Sequence, residues 1–304
     1  MKIGETPISN IEIPVGIING NEMSPTVCLI AGEHAVEYPG INAAIRIYKQ
    51  TLPNSLNGAL LIVPVMNVPG FEARSAYVSP IDNANMGFIG PGDKNGSISY
   101  RISHTVLNEI IMKSDYLLNL HGGDGPEWLA PFTIVENTGN TQVDTKSEEL
   151  ARVFGLEYIV KIEQTRPTLI CEAGKRGIPS LVSEAGSLRM FDKHDTNLHV
   201  LGVENVLKHL LMLDGEPIPC RATQKIVSRG YKIFASRGGL FYPRISPGTI
   251  ISKGDILAEI RDLKGDLLDR IIAKEAGWIG YMWMRHVVNT GDPLISVSFI
   301  HEQD

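Results

Sequence analysis

The sequence predicts an α/β protein in which a mostly parallel or mixed sheet carries helices on both faces and is followed by a small β-rich domain. Short apolar runs alternate with helix-like segments as far as residue 213, which predicts the α/β part. Residues 222–304 contain Gly-rich turns at short intervals between short segments rich in Val, Ile, Leu and Tyr. Because this part of the chain has no long stretch of helical periodicity, it is predicted to be β-rich.

The first predicted elements form a β-α-β unit. Residues 26–31 and 59–66 are short apolar runs bounded by Gly, Pro or Asn, which is typical of strands buried on both faces. Pro39 suits the first turn of the intervening helix, apolar residues recur after it at helical spacing, and Pro53 ends it.

The alternation then continues along the chain. The further predicted elements are a helix near 98–113, strands at 115–120 and 131–136, a helix at 146–154, strands at 158–162 and 179–183, and a helix at about 195–213. Asp-Gly and Pro follow within residues 213–217 and predict a linker there. We therefore expect a larger domain of residues 1–215 and a small β-rich, barrel-like domain of residues 216–304.

Composition excludes several classes of protein. The 304 residues are 43% hydrophobic and 20% charged, the balance of a folded chain long enough for an enzyme, alone or as a homo-oligomer. The net charge of -6 and the absence of basic runs argue against nucleic acid as a partner. No segment approaches the roughly 18 apolar residues of a membrane span, so we expect a cytoplasmic protein. Three cysteines that lie far apart exclude a disulfide framework and a CxxC metal site.

Candidate site residues follow the predicted strands, at the edge where ligands collect in a parallel α/β sheet. His34 and Glu37 follow the first of these strands, and His121 follows the strand at 115–120. Two histidines and one carboxylate are typical of a catalytic zinc site, because three protein ligands leave a position for a water whose pKa falls to about 7. Glu184 follows the strand at 179–183, where it would serve as the base for that water.

Each of these residues has a structural interpretation when it is considered alone. A single histidine at a strand end is more often a hydrogen-bonded structural residue, and Glu184 alone suits a helix N-terminus. The occurrence of complementary groups at three strand ends favours a metal-dependent hydrolase. His194 and His199 lie five positions apart on the last predicted helix, so they do not share a face, and we expect them to be exposed or capping residues.

Five motifs occur in order along residues 26–190. They are Gly32-x-His34-x-x-Glu37, Pro64-x-Met66-Asn67-x-Pro69-Gly70 followed by Arg74, Asp82-x-x-Asn85-(x5)-Pro91-Gly92, Asp115-(x5)-His121-Gly122-Gly123, and Glu184-x-Gly186. In order and spacing they resemble the succinylglutamate desuccinylase/aspartoacylase family, a branch of the wider zinc carboxypeptidase-like superfamily. The Gly-rich C-terminal segment is similar to the small β domain that follows the catalytic domain in that family.

The resemblance implies a zinc carboxypeptidase-like fold and one Zn²⁺ per chain, bound by His34, Glu37 and His121. It implies that Glu184 is the general base and then the proton donor to the leaving amine. It also implies that Arg74 polarises the scissile carbonyl and stabilises the oxyanion. The implied reaction is hydrolysis of the amide bond of a small N-acylated amino acid or amine.

The chain departs from the family pattern where the family recognises a substrate carboxylate. The pattern continues Asp-x-x-Asn-Leu-Asn-Arg, and its last Asn-Arg pair falls on Gly87 and Phe88. Loss of this clamp removes a contact of roughly 1.5–3 kcal/mol, so acidic substrates should bind poorly unless another cation replaces it. The candidate replacements are Arg101, Arg166 and Arg189. We expect Asn85 and Phe88 to contact the substrate, with Phe88 favouring a neutral group.

Two alternatives stay open at this stage. A zinc carboxypeptidase-like peptidase would use the same ligands, but it needs a cation for the C-terminal carboxylate of its substrate. A catalytically silent binding protein of the same fold is the other alternative. The presence of all three ligand residues together with Glu184 argues against it.

Overall fold

The computed structural model describes residues 1–163 and 166–301, which contain eighteen strands and six α-helices. The strands are β1 Lys2–Glu5, β2 Asn10–Glu12, β3 Gly16–Asn19, β4 Thr26–Ala31, β5 Ala59–Val63, β6 Tyr116–His121, β7 Glu127–Leu129, β8 Phe132–Asn137, β9 Tyr158–Glu163, β10 Ser180–Glu184, β11 Lys225–Phe234, β12 Gly239–Pro243, β13 Ile250–Ile251, β14 Ile256–Arg261, β15 Leu267–Ile272, β16 Gly277–Trp283, β17 Val287–Val288 and β18 Pro293–Ile300. The helices are α1 Tyr38–Gln50, α2 Val68–Ala73, α3 Ile98–Glu109, α4 Thr141–Phe154, α5 Leu169–Lys175 and α6 Lys193–His209.

A twelve-stranded mixed sheet forms the centre of the molecule. Its order is β13-β16-β18-β11-β9-β8-β10-β6-β4-β5-β3, and β7 pairs with β16 beside this path. Strands β5, β4, β6 and β10 are parallel to one another, whereas β8 runs antiparallel to β10. The predicted mixed sheet is thus confirmed.

Helices cover both faces of this sheet, as predicted. On one face α1, α4 and α6 pack through buried side chains such as Ile47, Phe154 and Val203. On the other face α3 and α5 pack through Ile102 and Ile170. None of the helices within residues 1–163 and 166–301 is both long and apolar enough to cross a membrane.

Local capping explains where the observed elements differ from the predicted ones. Helix α4 begins at Thr141, five residues before the predicted start, because the side chain of Asn140 accepts hydrogen bonds from the backbone N–H groups of Gln142 and Val143. The short helix α5 was not predicted, and its N-cap is Thr168, whose hydroxyl accepts from the N–H of Cys171.

The C-terminal part of the chain is β-rich, as predicted, and its strands serve two sheets. Strand β11 pairs in parallel with β9 and so extends the central sheet, followed by β18, β16 and β13. Strands β15, β14, β12 and β17 form a separate antiparallel sheet. A third core that includes Phe241, Leu257 and Leu294 lies beneath them. The domain boundary at residues 213–217 stays a prediction.

Candidate active site

Three neighbouring parallel strands bring the candidate metal ligands and Glu184 to one edge of the sheet. His121 and Glu184 are the last residues of β6 and β10 and lie opposite each other in the strand register. Strand β4 ends at Ala31, and the turn after it carries His34 to Glu37, the N-cap residue of α1. This turn depends on Gly32, whose φ of +64° lies in the left-handed region.

The side chain of Glu37 lies between the two histidines. Its Oε1 is 2.9 Å from Nδ1 of His34, and its Oε2 is 2.9 Å from Nδ1 of His121. Oε2 of Glu37 is buried, and within the described structure it has no hydrogen-bond partner. Its short contact with His121 is therefore not a hydrogen bond. The ligand atoms of the three residues lie within 4.8 Å of one another. Two imidazoles and a carboxylate that converge on one point fit a divalent metal such as zinc.

Each histidine contacts an acceptor on the side away from Glu37. Nε2 of His34 donates to Oδ1 of Asn85 at 3.0 Å, and Nε2 of His121 donates to Oε2 of Glu33 at 3.0 Å. The amide of Asn119 also donates to Glu33, at 2.8 Å. These acceptors place a proton on Nε2 of both rings and turn Nδ1 toward Glu37. Glu33 was not predicted as a site residue, although its position directly before His34 was a signal that could have found it.

The charges of this cluster shift the pKa values of its members. Burial opposes the charged form of Glu37, but the adjacent His121 and His34 outweigh burial and lower its pKa to about 2. Burial likewise opposes the charged form of His34, and Glu37 outweighs it to raise the pKa of His34 to about 9. Protons and a metal therefore compete for the same ring nitrogens, and metal binding is expected to release protons.

Glu184 lies beside His34, Glu37 and His121, and the pKa of its carboxyl group is raised. Burial raises its pKa to about 8, the charges of Glu37 and Glu127 act in the same direction, and His121 opposes them. A pKa near neutrality suits a group that takes up a proton and later returns it. A cation bound by the His34, Glu37 and His121 side chains would favour the charged form of Glu184.

These residues line a cavity of about 460 Å³. Apolar side chains of β8 and β9 form part of its wall, among them Phe132, Ile134 and Val160. Strands of the C-terminal part complete the cavity with Arg229 and Lys232 on β11. The sequence did not predict this contribution, because it depends on the long-range pairing of β11 with β9.

Glu127 is a further cavity residue that the sequence did not identify. It begins β7, and burial followed by the charge of Glu37 raises its pKa to about 7. The backbone N–H of Asp124 donates to its Oε2 at 3.2 Å. Its only signal in the sequence is the preceding Gly-rich turn, which is too common to mark a site.

Comparison with known proteins decides the family. A family model described as the succinylglutamate desuccinylase/aspartoacylase catalytic domain matches residues 23–210. The chain belongs to this family. Among its relatives is the N-alpha-acetyl-L-2,4-diaminobutyric acid deacetylase of Halomonas elongata, which is 26% identical over 269 residues, covering 84% of this chain and 78% of the relative.

Several solved structures share the fold of this chain. A succinylglutamate desuccinylase from Silicibacter sp. TM1040 superposes with a TM-score of 0.91 at 21% identity, covering 99% of this chain and 93% of that one. The product-bound ectoine utilization protein EutE (DoeB) of Ruegeria pomeroyi gives a TM-score of 0.91 at 24% identity, covering 98% and 94%. Both cover the C-terminal strands, so the β-rich part is included in the shared fold.

The structure distinguishes among the residues that the family motifs suggested for substrate contact. Phe88 lines the cavity, and the guanidinium of Arg166 lies 4.5 Å above the centre of its ring. Arg166 also lines the cavity, whereas Arg101 and Arg189 do not. Asn85 lies behind His34 and outside the cavity wall, so its contact with substrate stays a prediction.

Gly87, which stands where the family pattern has Asn, packs closely against His34. A Cβ atom at this position would lie 2.9 Å from Nε2 of His34. A larger residue would therefore displace the histidine or require the loop to move. The size of the residue at position 87 and the position of the His34 imidazole therefore depend on each other.

Arg74 does not line the cavity. It follows α2 with a left-handed φ of 53°, and its side chain is exposed. The proposed contact of Arg74 with the substrate carbonyl stays a prediction.

The prediction that His199 is exposed or capping was wrong. His199 is fully buried, its Nδ1 accepts from the Ser183 hydroxyl at 3.0 Å, and its Nε2 donates to the carbonyl oxygen of Ala185 at 3.0 Å. These bonds flank Glu184 on both sides along the chain. Helical spacing alone could not show this, because the buried face of α6 was unknown.

Acid should weaken the fold through His199. Burial lowers its pKa from 6.5 to about 4, so its contribution to stability is complete above pH 6.5 and is lost as the pH falls toward 4. The contribution amounts to about 3 kcal/mol. Urea unfolding of the wild type and His199→Gln across this range should show a steeper loss in the wild type. Equal pH slopes for the two proteins would contradict this assignment.

Proposed function

We propose that the protein is a zinc-dependent deacylase that hydrolyses the amide bond of a small N-acyl amino acid. The observation that carries the proposal is the convergence of His34, Glu37 and His121 with Glu184 at the base of one cavity. Membership of the succinylglutamate desuccinylase/aspartoacylase family supports the reaction type, as does the deacetylase activity named for the Halomonas relative.

The residues divide the chemistry between them. When bound by His34, Glu37 and His121, zinc would supply a Lewis acid that polarises the amide carbonyl and acidifies a water. With its carboxylate charged, as a nearby cation would favour, Glu184 would accept the proton of the attacking water and then donate it to the leaving nitrogen.

The substrate carboxylate has a candidate partner in Arg166. The sequence favoured a neutral group at Phe88, but the guanidinium of Arg166 lies over this ring and lines the cavity. Arg229 and Lys232 line the same cavity, and within the described residues none of the three cations forms an ion pair. Burial, followed by the charges of Arg166 and Arg229, lowers the pKa of Lys232. An anionic substrate group would relieve this repulsion among like charges.

Arg166→Gln should therefore raise KM for an N-acetyl amino acid by about 10-fold to 100-fold, since a charge-assisted contact is worth roughly 1.5–3 kcal/mol. Hydrolysis of the matched N-acetyl amine without a carboxylate should change little. Steady-state kinetics on both substrates measures the difference, and Arg101→Gln, outside the cavity, serves as the control. An equal effect of Arg166→Gln on both substrates would contradict the carboxylate contact.

The same assays distinguish the two alternatives. Faster hydrolysis of dipeptides than of N-acetyl amino acids would favour a zinc carboxypeptidase-like peptidase. Zinc-loaded protein that binds N-acyl amino acids without hydrolysing them would favour a catalytically silent binding protein.

A further inference from the structure

Glu33 is a buried carboxylate that the proposed reaction does not use. Glu33 is 3% exposed. Its Oε2 accepts hydrogen bonds from Nε2 of His121 at 3.0 Å and from the side-chain amide of Asn119 at 2.8 Å. Within the described residues its Oε1 has no hydrogen-bond partner. Burial of a carboxylate is costly unless its charge serves a partner. The partner that its position offers is His121.

The imidazole of His121 lies between two carboxylates. Its Nδ1 is 2.9 Å from Glu37, on the side where the candidate ligand atoms converge, and its Nε2 is bonded to Glu33 on the opposite side. A carboxylate can only accept a hydrogen bond, so Glu33 keeps a proton on Nε2. The lone pair of Nδ1 is then free to face a cation.

The two histidines differ in the group behind them. Nε2 of His34 meets the neutral amide oxygen of Asn85, which also accepts from the backbone N–H of Gly87. Nε2 of His121 instead meets a charged oxygen. A negative charge behind an imidazole increases its basicity as a ligand and fixes its orientation.

We propose that Glu33 is a positioning residue that holds His121 with Nδ1 toward the metal and strengthens His121 as a ligand. The Glu33 side chain acts through His121 and does not itself belong to the group of ligand atoms within 4.8 Å. Asn119, which is also buried, donates to the Glu33 carboxylate from β6, two positions before His121. This role rests on the proposed zinc site.

Two substitutions separate the charge of Glu33 from its hydrogen bond. Glu33→Gln keeps an oxygen acceptor for His121 and removes the charge, and Glu33→Leu removes both. We expect the zinc dissociation constant to rise about 10-fold in Glu33→Gln and up to about 100-fold in Glu33→Leu, as measured by competition with a chromogenic chelator. With Co²⁺ in place of zinc, the visible spectrum should be preserved in Glu33→Gln and altered in Glu33→Leu.

Glu172→Gln is the matched control, because Glu172 is also a buried carboxylate, lies on α5 and does not line the cavity. Its zinc affinity should equal that of the wild type. Thermal unfolding of each chelator-treated variant reports its fold independently of metal.

Three outcomes would be informative in different ways. Zinc affinities of both Glu33 variants within twofold of the wild type would overturn the proposal. Weakened zinc binding only in Glu33→Leu, together with unfolding of its metal-free form, would also overturn it by assigning Glu33 a purely structural role. A wild type that binds no zinc would contradict the proposed metal site itself, which distinguishes the failure of that site from the failure of the Glu33 role.

Discussion

Glu184→Gln should reduce kcat for an N-acetyl amino acid by about 10³-fold while the protein still binds zinc. The amide cannot accept a proton from water or return one to the leaving nitrogen, and a positioned general base or acid contributes typically 10²-fold to 10⁴-fold. Glutamine has nearly the same size as glutamate, so the end of β10 and its register with His121 should be preserved. Initial rates and zinc content, measured on the same preparation, test both parts of the prediction.

Glu163→Gln provides the control for the Glu184 experiment. Glu163 is an exposed carboxylate at the cavity, where its Oε1 accepts from Asn137 at 3.2 Å. The Glu163→Gln substitution should change kcat by no more than a few-fold, because Glu163 is exposed and is not one of the candidate metal ligands. Activity of Glu184→Gln within 10-fold of the wild type would show that another group transfers the proton.

The central α/β fold could be predicted because its signals are local. Each buried strand is a short apolar run, and each long helix has a recurrent apolar face, so β4, α1 and β6 emerge within a few residues of their observed ends. The extension of the sheet by β11 could not be predicted. It depends on pairing between Lys225 and Tyr158, and such a contact leaves no periodic mark in either segment.

The candidate site likewise contains residues that local sequence patterns identify and residues that they do not. His34, Glu37, His121 and Glu184 could be placed together because each lies at or just after the end of one of three neighbouring parallel strands, β4, β6 and β10. The position of Arg166 above Phe88 could not be predicted, because residues 166–168 before α5 show no periodic pattern in the sequence. Functional residues at strand ends can thus be identified from the sequence, whereas substrate contacts made by loops can be identified only from the structure.

The proposed metal ligands come from two separate elements of the fold. The metal content of a variant that lacks one of them therefore tests the site directly. Wild type purified without chelator should contain about one zinc per chain, and His121→Ala should contain less than about 0.1. His34 and Glu37 come from one turn, whereas His121 comes from β6, so His121→Ala leaves only two ligands, too few to retain zinc at an open site. Elemental analysis of both proteins makes the measurement.

His194→Ala is the matched control for His121→Ala, because His194 is an exposed histidine on the first turn of α6. It should retain the wild-type zinc content. Zinc that persists in His121→Ala would place the metal on other residues and contradict the assigned ligands. A wild type that neither contains zinc nor takes it up would remove the Lewis acid from the proposed hydrolysis. A catalytically silent binding protein of the same fold would then account for the cavity better than a deacylase would.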